Sequence, residues 1–380
     1  MGEIYLDHAA TTPLAEEVAE RMATVQMEVF GNPSSIHSFG RKARKLVDEA
    51  RASIASSIGA DEKEIYFTSG GTESDNLAII GTALRNRDKG NHIITTAQEH
   101  HAVLHAVEFL ETMGFEVTYI PVEQSGRVSI TDIKESLRDD TILVSVMFVN
   151  NETGVIQPIA EIGELLKGHQ AYFHTDAVQA YSLLDIQVDE LGVDLLTASA
   201  HKINGPKGIG FLYIEESVPV QSLLFGGEQE RKRRAGTENV PAIVGFNKAV
   251  ELLMDDKEAR RKTLQSYKDR FIAQLKEEDV EFRLNGEQEY TVDSIVNISF
   301  PGTNVEQVLT NLDLSGVAAS SGSACTAGSV EPSHVLSAMF GKNDPCTTNS
   351  IRFSFGSANT LENVTEAAKR VATIIKRLTN

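Results

Sequence analysis

Between residues 41 and 215, short apolar segments alternate with amphipathic ones, and this alternation constrains the fold more than any other feature of the sequence. The apolar segments are rich in β-branched residues and predict seven strands, at 65–67, 92–95, 117–121, 141–149, 171–174, 193–199 and 210–214. Amphipathic windows beside them predict helices, among them 41–58, 101–113 and 159–167. Because buried strands separated by helices form βαβ units, we expect an α/β fold whose large domain holds a mostly parallel seven-stranded sheet flanked by helices.

The pattern changes in the last third of the chain. Residues 240–277 predict one long helix that is charged in its middle, and a helix of this kind can link two domains. The elements predicted beyond it are a strand pair at 292–300, a helix after Thr303, a strand at 350–355 and a final helix at 361–378. We therefore expect a second, smaller α+β domain, with residues 14–258 in the large domain and residues 1–13 and 259–380 in the small one.

Charge and composition exclude several classes of protein. The 380 residues include 35 basic and 54 acidic side chains, and the net charge of −19 argues against binding to nucleic-acid backbones or anionic membranes. Cys325 and Cys346 are too few for a disulfide framework or for a cysteine-only metal site within one chain. The first residues do not match a signal peptide and no stretch matches a membrane span, so we expect a cytoplasmic protein.

A glycine pair marks the first candidate site. Residues 68–76 (TSGGTESDN) place Gly70 and Gly71 between a short strand and a helix. Backbone N–H groups and the helix dipole favour an anion at such a turn, and the Thr72 hydroxyl adds a donor. The Gly-Lys-Ser/Thr of a P-loop is missing, and an ordinary glycine turn with a capping residue explains this segment as well.

Two further candidates directly follow apolar strands. Asp176 stands where α/β proteins place ligands, although an aspartate there can equally cap the next helix. Lys202 follows the next strand in the run 199–202 (SAHK). A lysine in a partly dry pocket can become a Schiff-base nucleophile, whereas a lone lysine is usually a solvated charge.

Histidines cluster at the start of one predicted helix. His100 lies just before it and is a candidate general base. His101 and His105 have the four-residue spacing of a metal-binding pair, but no acid or cysteine cluster supports a metal there.

Cys325 lies within residues 318–329, a run of small residues without the aliphatic neighbours of a buried cysteine. A thiol on such an arm is well placed to meet a substrate or a partner. The segment therefore favours a reactive thiol over a structural one.

Taken together, these segments resemble the cysteine desulfurases, which are pyridoxal-phosphate enzymes of the aspartate aminotransferase fold type, fold type I. The resemblance runs over essentially the whole chain. Its motifs are 7–13 (DHAATTP), 31–37 (GNPSSIH), 69–76 (SGGTESDN), 99–100 (EH), 149–154 (VNNETG), 176–179 (DAVQ), 201–202 (HK), 234–239 (RAGTEN), the Cys325 arm with 331–336 (EPSHVL), and 350–354 (SIRFS).

The resemblance implies a role for each matching residue around pyridoxal 5'-phosphate. Lys202 would bind the cofactor as a Schiff base, and Asp176 would pair with its pyridinium nitrogen. Gln179 would bind the ring hydroxyl, and His100 would stack on the ring and act as an acid–base group. The residues implied to hold the phosphate, the last of them from the partner subunit of a homodimer, are Gly71, Thr72, Ser199, His201 and Thr237.

The implied reaction converts L-cysteine to L-alanine. Asn151 and Arg352 would orient the substrate, with Arg352 gripping its carboxylate. Lys202, once freed, would move the α-proton. The thiolate of Cys325 would then take the substrate sulfur and hold it as a persulfide.

The resemblance also bears on where the sulfur goes. Residues 320–325 (SSGSAC) match the class with a long cysteine loop, which implies transfer to an acceptor protein for tRNA thiolation or iron–sulfur cluster assembly. Cys325 is the residue implied as a ligand for an acceptor's cluster, and no metal is expected within the chain itself. The chain stops at Asn380, whereas members serving iron–sulfur scaffolds often carry a longer tail, so tRNA thiolation stays an open alternative. Cys346 has no counterpart in the pattern and is predicted to be a loop thiol.

Other functions stay open beside this one. A selenocysteine lyase or another pyridoxal-phosphate lyase would share the fold, and a non-catalytic scaffold for sulfur transfer would belong to a different class. The residues at 202, 176 and 325 argue against the scaffold, since it would need none of them.

Overall fold

The computed structural model describes residues 2–322 and 332–379, and this part contains twelve strands and thirteen α-helices. The strands are β1 (Ile4–Tyr5), β2 (Ile65–Thr68), β3 (His92–Thr96), β4 (Glu116–Ile120), β5 (Thr141–Ser145), β6 (Tyr172–Asp176), β7 (Leu195–Ser199), β8 (Gly210–Ile214), β9 (Arg283–Leu284), β10 (Ile295–Ser299), β11 (Val317–Ala318) and β12 (Ser350–Ser354). The helices are α1 (Glu16–Glu28), α2 (Ser38–Ser57), α3 (Gly71–Asn76), α4 (Thr82–Arg85), α5 (His101–Thr112), α6 (Ile130–Ser136), α7 (Ile159–Leu166), α8 (Val188–Leu191), α9 (Val240–Glu277), α10 (Val305–Leu314), α11 (His334–Phe340), α12 (Cys346–Asn349) and α13 (Leu361–Thr379). A π-helical segment, Leu77–Gly81, joins α3 to α4.

Seven strands form the central sheet in the order β2-β8-β7-β6-β5-β3-β4. The pairs among β3 to β7 are parallel, and β8 alone is reversed, since it is antiparallel to both β7 and β2. Every residue of β2, β3, β5, β7 and β8 is buried, as expected for a sheet covered on both faces. The prediction of a mostly parallel seven-stranded sheet is therefore confirmed.

Two smaller sheets lie outside the central one. β12, β10 and β9 form an antiparallel sheet, and β1 pairs in parallel with β11, which joins the start of the chain to its last quarter. The predicted strand pair at 292–300 is wrong in detail, because this segment forms the single strand β10 and finds its partners in β9 and β12.

The long helix α9 has the bounds that the sequence predicts. It packs against α1, α2 and α13 and departs from helical geometry at Asp256, where φ is −136°. The division of the chain at residue 258 stays a prediction. Among the described residues, none of the helices combines the length and apolar character that crossing a membrane requires.

The central sheet brings distant segments to one edge. β2, β6 and β7 point in the same direction, so the residues after their carboxyl ends meet at a common edge. These residues are Gly71 at the start of α3, Asp176 at the end of β6 and Ser199 at the end of β7. Ligands of α/β proteins bind at such an edge.

Candidate active site

A cavity of about 450 Å³ lies at this edge of the sheet. It is lined by ten of the predicted site residues: Gly71, Thr72, His100, Asn151, Asp176, Gln179, Ser199, His201, Lys202 and Arg352. Thr237 is exposed and does not line it, and Cys325 lies outside the described residues. The structure therefore brings together residues from segments that the sequence separates by as much as 281 residues (352 − 71 = 281).

The turn before α3 can accept an anion at short range. Gly70 has a φ of +146°, a conformation that favours glycine, and no side chain of the described residues caps α3. A Cβ added at Gly71 would lie 3.0 Å from Val178 Cγ2, so glycine allows α3 to begin close to the loop after β6. The free N–H groups of the first turn point to a ligand such as phosphate, because no capping side chain takes them.

Acidic groups gather at the floor of the cavity. Asp176 is buried, and its carboxylate accepts a hydrogen bond of 2.9 Å from the N–H of Val178. Burial raises the pKa of Asp176, against the opposing effects of that hydrogen bond and of Lys202. Burial and the nearby Asp176 raise the pKa of Asp75 from α3, a residue that sequence reasoning did not single out. A cationic ring nitrogen would stabilise the Asp176 carboxylate at this position.

His100 faces the same point from the N terminus of α5. Its Nδ1 accepts a hydrogen bond of 3.2 Å from the N–H of Ala102, so the neutral ring carries its proton on Nε2. Burial and the positive charge of Lys202 lower the pKa of His100 to about 4. Within the described residues, ligand atoms of Asp75, His100 and Asp176 lie within 4.8 Å of one another, so an imidazole and two carboxyl groups surround one point of the cavity.

Lys202 lies in a short 3₁₀ turn after β7, under the N-terminal segment 7–13. Its Nζ donates hydrogen bonds to the carbonyl oxygens of Ala9 and Ala10, the latter at 2.7 Å. Gln179 also donates to the Ala9 carbonyl, at 2.9 Å. The segment 7–13 is thus part of the site, which its motif indicated without assigning roles.

His201 also contacts the N-terminal segment 7–13, at Thr11 and Thr12. Its Nδ1 lies 3.2 Å from the hydroxyl of Thr11, and its carbonyl accepts from the hydroxyl of Thr12 at 2.9 Å. Burial, with Lys202 adding a smaller effect, lowers the pKa of His201 to about 4. The ring is therefore neutral at neutral pH and can offer one N–H to an anion.

Arg352 on β12 completes the wall of the cavity. It is buried, and its Nη1 donates to the carbonyl of Asn151 at 2.9 Å, while Nη2 lies 2.7 Å from Asp7 Oδ1. Its Nε has no hydrogen-bond partner within the part of the chain that the structure describes. A guanidinium that lines the cavity fits a carboxylate ligand.

Cys346 does not belong to this site, and its prediction as a loop thiol is wrong. It is the first residue of α12 and is buried. Burial, together with the neighbouring Asp344, raises the pKa of the thiol to about 12. The sequence lacks a periodic pattern over 341–349, so neither the short helix nor the burial was foreseeable.

The fold and the cavity define a class of protein. A parallel sheet with a lysine after β7, a carboxyl group at the end of β6 and an open helix N terminus is the arrangement of the fold type I pyridoxal-phosphate enzymes. The residues present fit that cofactor, because a buried acid, an amine and anion-binding N–H groups share one cavity. Residues 4–366 match the family Aminotransferase class-V. The chain belongs to this family and, within it, to the cysteine desulfurases.

Known proteins similar to this chain span its full length. The IscS 1 protein of Bacillus subtilis (strain 168) is 60% identical over 379 residues and covers 100% of both chains. The cysteine desulfurase IscS of Methanosarcina thermophila is 50% identical, with coverage of 99% of this chain and 93% of its own.

Solved structures give the same result. A NifS-like protein superposes with a TM-score of 0.92 at 33% identity, covering 99% of this chain and 100% of its own. SspA in complex with cysteine superposes with a TM-score of 0.82 at 37% identity, covering 92% of this chain and 98% of its own.

Proposed function

We propose that this chain converts L-cysteine to L-alanine with pyridoxal 5'-phosphate and holds the released sulfur as a persulfide on Cys325. The observation that carries the proposal is the convergence of Lys202, Asp176, His100 and Arg352 on one cavity. The family of the chain supports cysteine as the substrate, and so does its similarity to SspA, whose structure holds cysteine.

The cofactor would be held by contacts at three of its parts. Lys202 would bind it covalently, Asp176 would face its pyridinium nitrogen, and Gln179 would bind its ring hydroxyl. The phosphate would lie at the start of α3, against Gly71, Thr72, Ser199 and His201. When bound, the cofactor supplies an electron sink that stabilises negative charge at the substrate α-carbon.

Substrate binding and proton transfer fall to three residues of the cavity wall. The Arg352 guanidinium would bind the substrate carboxylate at the cavity wall, with Asn151 beside it. The Lys202 amine would take the α-proton. His100 is neutral and carries its proton on Nε2. This nitrogen would act as the acid–base group beside the cofactor.

The sulfur step would need Cys325 at the mouth of the cavity. Ser320 and Gly322 line the cavity, and the three residues from Gly322 to Cys325 can span up to ~10 Å. The Cys325 thiolate would attack the substrate sulfur, forming an S–S bond while the C–S bond breaks and its electron pair stays with carbon. Protonation of that carbon and return of a proton from Lys202 to the α-carbon give L-alanine, and Cys325 keeps the sulfur as a persulfide.

A homodimer would complete the phosphate site. Thr237 is exposed on this subunit and would contact the phosphate of the other one. Large apolar side chains are also exposed, including Phe30 at 73%, Ile36 at 91% and Phe225 at 87%, and a second copy of the chain would cover them.

An acceptor protein would take the sulfur from Cys325 in the cytoplasm, for tRNA thiolation or for iron–sulfur cluster assembly. In the second pathway Cys325 would also ligate the acceptor's cluster. Neither nucleic acid nor membrane is proposed as a direct partner, since the net charge of −19 opposes both.

The test is a product assay on cofactor-loaded protein with L-cysteine and a reductant. We expect alanine and sulfide in equal amounts, and we expect Cys325→Ala to abolish both while it keeps the bound cofactor. Cys346→Ala is the matched control and should stay active. Turnover of selenocysteine but not of cysteine would replace the proposal with a selenocysteine lyase, and normal turnover by Cys325→Ala would refute the persulfide step.

A further inference from the structure

Glu152 is a buried carboxylate that the proposed chemistry does not use. Its side chain is 1% exposed and lies beside the cavity, directly after Asn151. Its Oε2 accepts a hydrogen bond of 2.5 Å from the hydroxyl of Ser333. A Cβ added at Gly322 would lie 1.7 Å from the same Oε2, so the backbone of Gly322 rests against the carboxylate. Glu152 therefore contacts one residue before and one residue after the segment 323–331, which carries Cys325.

The turn that carries Glu152 holds it rigidly. The side-chain oxygen of Asn150 accepts hydrogen bonds from the N–H groups of Glu152 and Thr153, both at 2.9 Å. Asn297 on β10 donates to the Glu152 carbonyl at 3.1 Å. These bonds fix the backbone of Glu152, so its side chain can anchor other segments at a smaller cost in conformational entropy.

The same turn is part of the substrate site. Asn151 lines the cavity, and its carbonyl accepts from Arg352. Arg352 in turn pairs through its backbone with Ser320, at 2.7 Å from its N–H to the Ser320 carbonyl. Ser320, three residues before the segment 323–331, is thus tied to the residues that would bind the substrate.

We propose that Glu152 is a positioning residue, which holds Gly322 and Ser333 together so that Cys325 meets the substrate sulfur. This inference rests on the proposed persulfide function. It predicts a defect confined to sulfur transfer, with cysteine binding and cofactor binding retained, because Glu152 does not itself line the cavity.

The first experiment compares Glu152→Ala, Glu152→Gln and the wild-type holoenzyme. Glu164→Ala is the matched control, since that acid is 74% exposed on α7. Each protein receives L-cysteine, and the absorbance change on cysteine binding and the rate of persulfide formation on Cys325 are followed in one turnover. We expect Glu152→Ala to form the persulfide about tenfold more slowly, with an unchanged midpoint for the absorbance change. Glu152→Gln retains an acceptor for Ser333 and should recover part of the rate.

A second pair of variants tests the contact itself. Gly322→Ala would place its methyl group against the Glu152 carboxylate and should slow persulfide formation in the same way. In the Glu152→Ala background the added methyl group meets free space, so Gly322→Ala should cause no further loss. A full additional loss in the double variant would overturn the proposal, because the two residues would then act independently.

Alkylation of the two thiols distinguishes positioning from unfolding. Cys346 is buried and should stay protected in every variant if the fold is intact. Exposure of Cys346 in both Glu152 variants, or a persulfide rate equal to that of the wild type, would overturn the role of Glu152. If the wild-type protein itself formed no persulfide on Cys325, the proposed function would fail, and the inference with it.

Discussion

The Asp7 carboxylate lies 2.7 Å from the Arg352 guanidinium, although 345 residues separate the two in sequence. This ion pair joins the N-terminal segment to β12 at the wall of the cavity. Arg352 is almost fully buried, so the pair is shielded from solvent on the arginine side. Asp7 thereby fixes the direction of the donors that would bind the substrate carboxylate.

Asp7→Asn should weaken substrate binding more than turnover. The variant keeps the shape of the side chain but loses the charge, and a hydrogen bond to a charged group contributes about 1.5–3 kcal/mol. We expect the KM for L-cysteine to rise about tenfold while kcat changes less than about threefold. Steady-state alanine production measures both, with Asp88→Asn on the exposed surface as the control. An unchanged KM would contradict an orienting role for Asp7.

Glu99 should make the stability of the protein fall as pH rises. It is fully buried beside His100, where its Oε1 accepts hydrogen bonds from Thr96 and from the N–H of Met147. Burial raises its pKa to about 8 from an ordinary 4.5, so between these values the folded state binds more protons than the unfolded state. The raised pKa of Glu99 therefore adds to the free energy of unfolding fully below pH 4.5. This contribution is lost as pH rises towards 8, at about 1.4 kcal/mol per pH unit.

Glu99→Gln removes this titration and keeps an acceptor for both donors. We expect the variant to gain stability relative to the wild type as pH increases from 5 to about 8. Urea unfolding at both pH values measures the difference. Glu108→Gln, an exposed acid on the helix that follows, should show no such trend. A difference that stays constant with pH would contradict the raised pKa.

The two cysteines should differ sharply in reactivity. The pKa of the Cys346 thiol is raised to about 12, so almost none of it is thiolate at pH 8. We expect iodoacetamide to modify the native protein at Cys325 and to leave Cys346 unmodified until a denaturant is added. Peptide mass spectrometry gives the site directly. Rapid labelling of Cys346 in the native state would show that its burial is wrong.

Phe225→Lys should disrupt the proposed homodimer. The Phe225 side chain is 87% exposed, and a charge at a buried apolar contact is costly. We expect the variant to sediment as a monomer and to bind pyridoxal phosphate more weakly, because Thr237 of the partner subunit would no longer reach the phosphate. Met254→Lys, at a side chain that is 49% exposed on α9, is the control. A dimeric Phe225→Lys variant with full cofactor affinity would contradict the proposed interface.

Local patterns predicted the central sheet well. Each of the seven predicted segments overlaps a strand of the sheet, because most of these strands are short apolar runs between helices. The strand predicted at 141–149 ends at Ser145. Its continuation turns along the end of β6, with hydrogen bonds from Val146 to His174 and from Phe148 to Asp176, and forms the cavity wall. An apolar run in the sequence does not distinguish residues that form a strand from apolar residues that line a cavity.

The site was predictable only where a residue belongs to a motif. Lys202 and Asp176 stand at strand ends, and their positions follow from local sequence. Asp75 gave no such signal, because its importance comes from a carboxylate 101 residues away (176 − 75 = 101) that folding brings beside it. The contact of Glu152 with Ser333 likewise spans 181 residues, and nothing in either segment reveals it. Long-range pairings of this kind depend on the sheet order and not on local propensity.

The central claim is that Cys325 receives the sulfur of L-cysteine. Its most direct test gives the cofactor-loaded protein one equivalent of L-cysteine without reductant, and then measures alanine and the mass of each cysteine-containing peptide. The account predicts one alanine per subunit and one additional sulfur atom on the peptide with Cys325, with the Cys346 peptide unchanged. Alanine released without sulfur on Cys325 would contradict it.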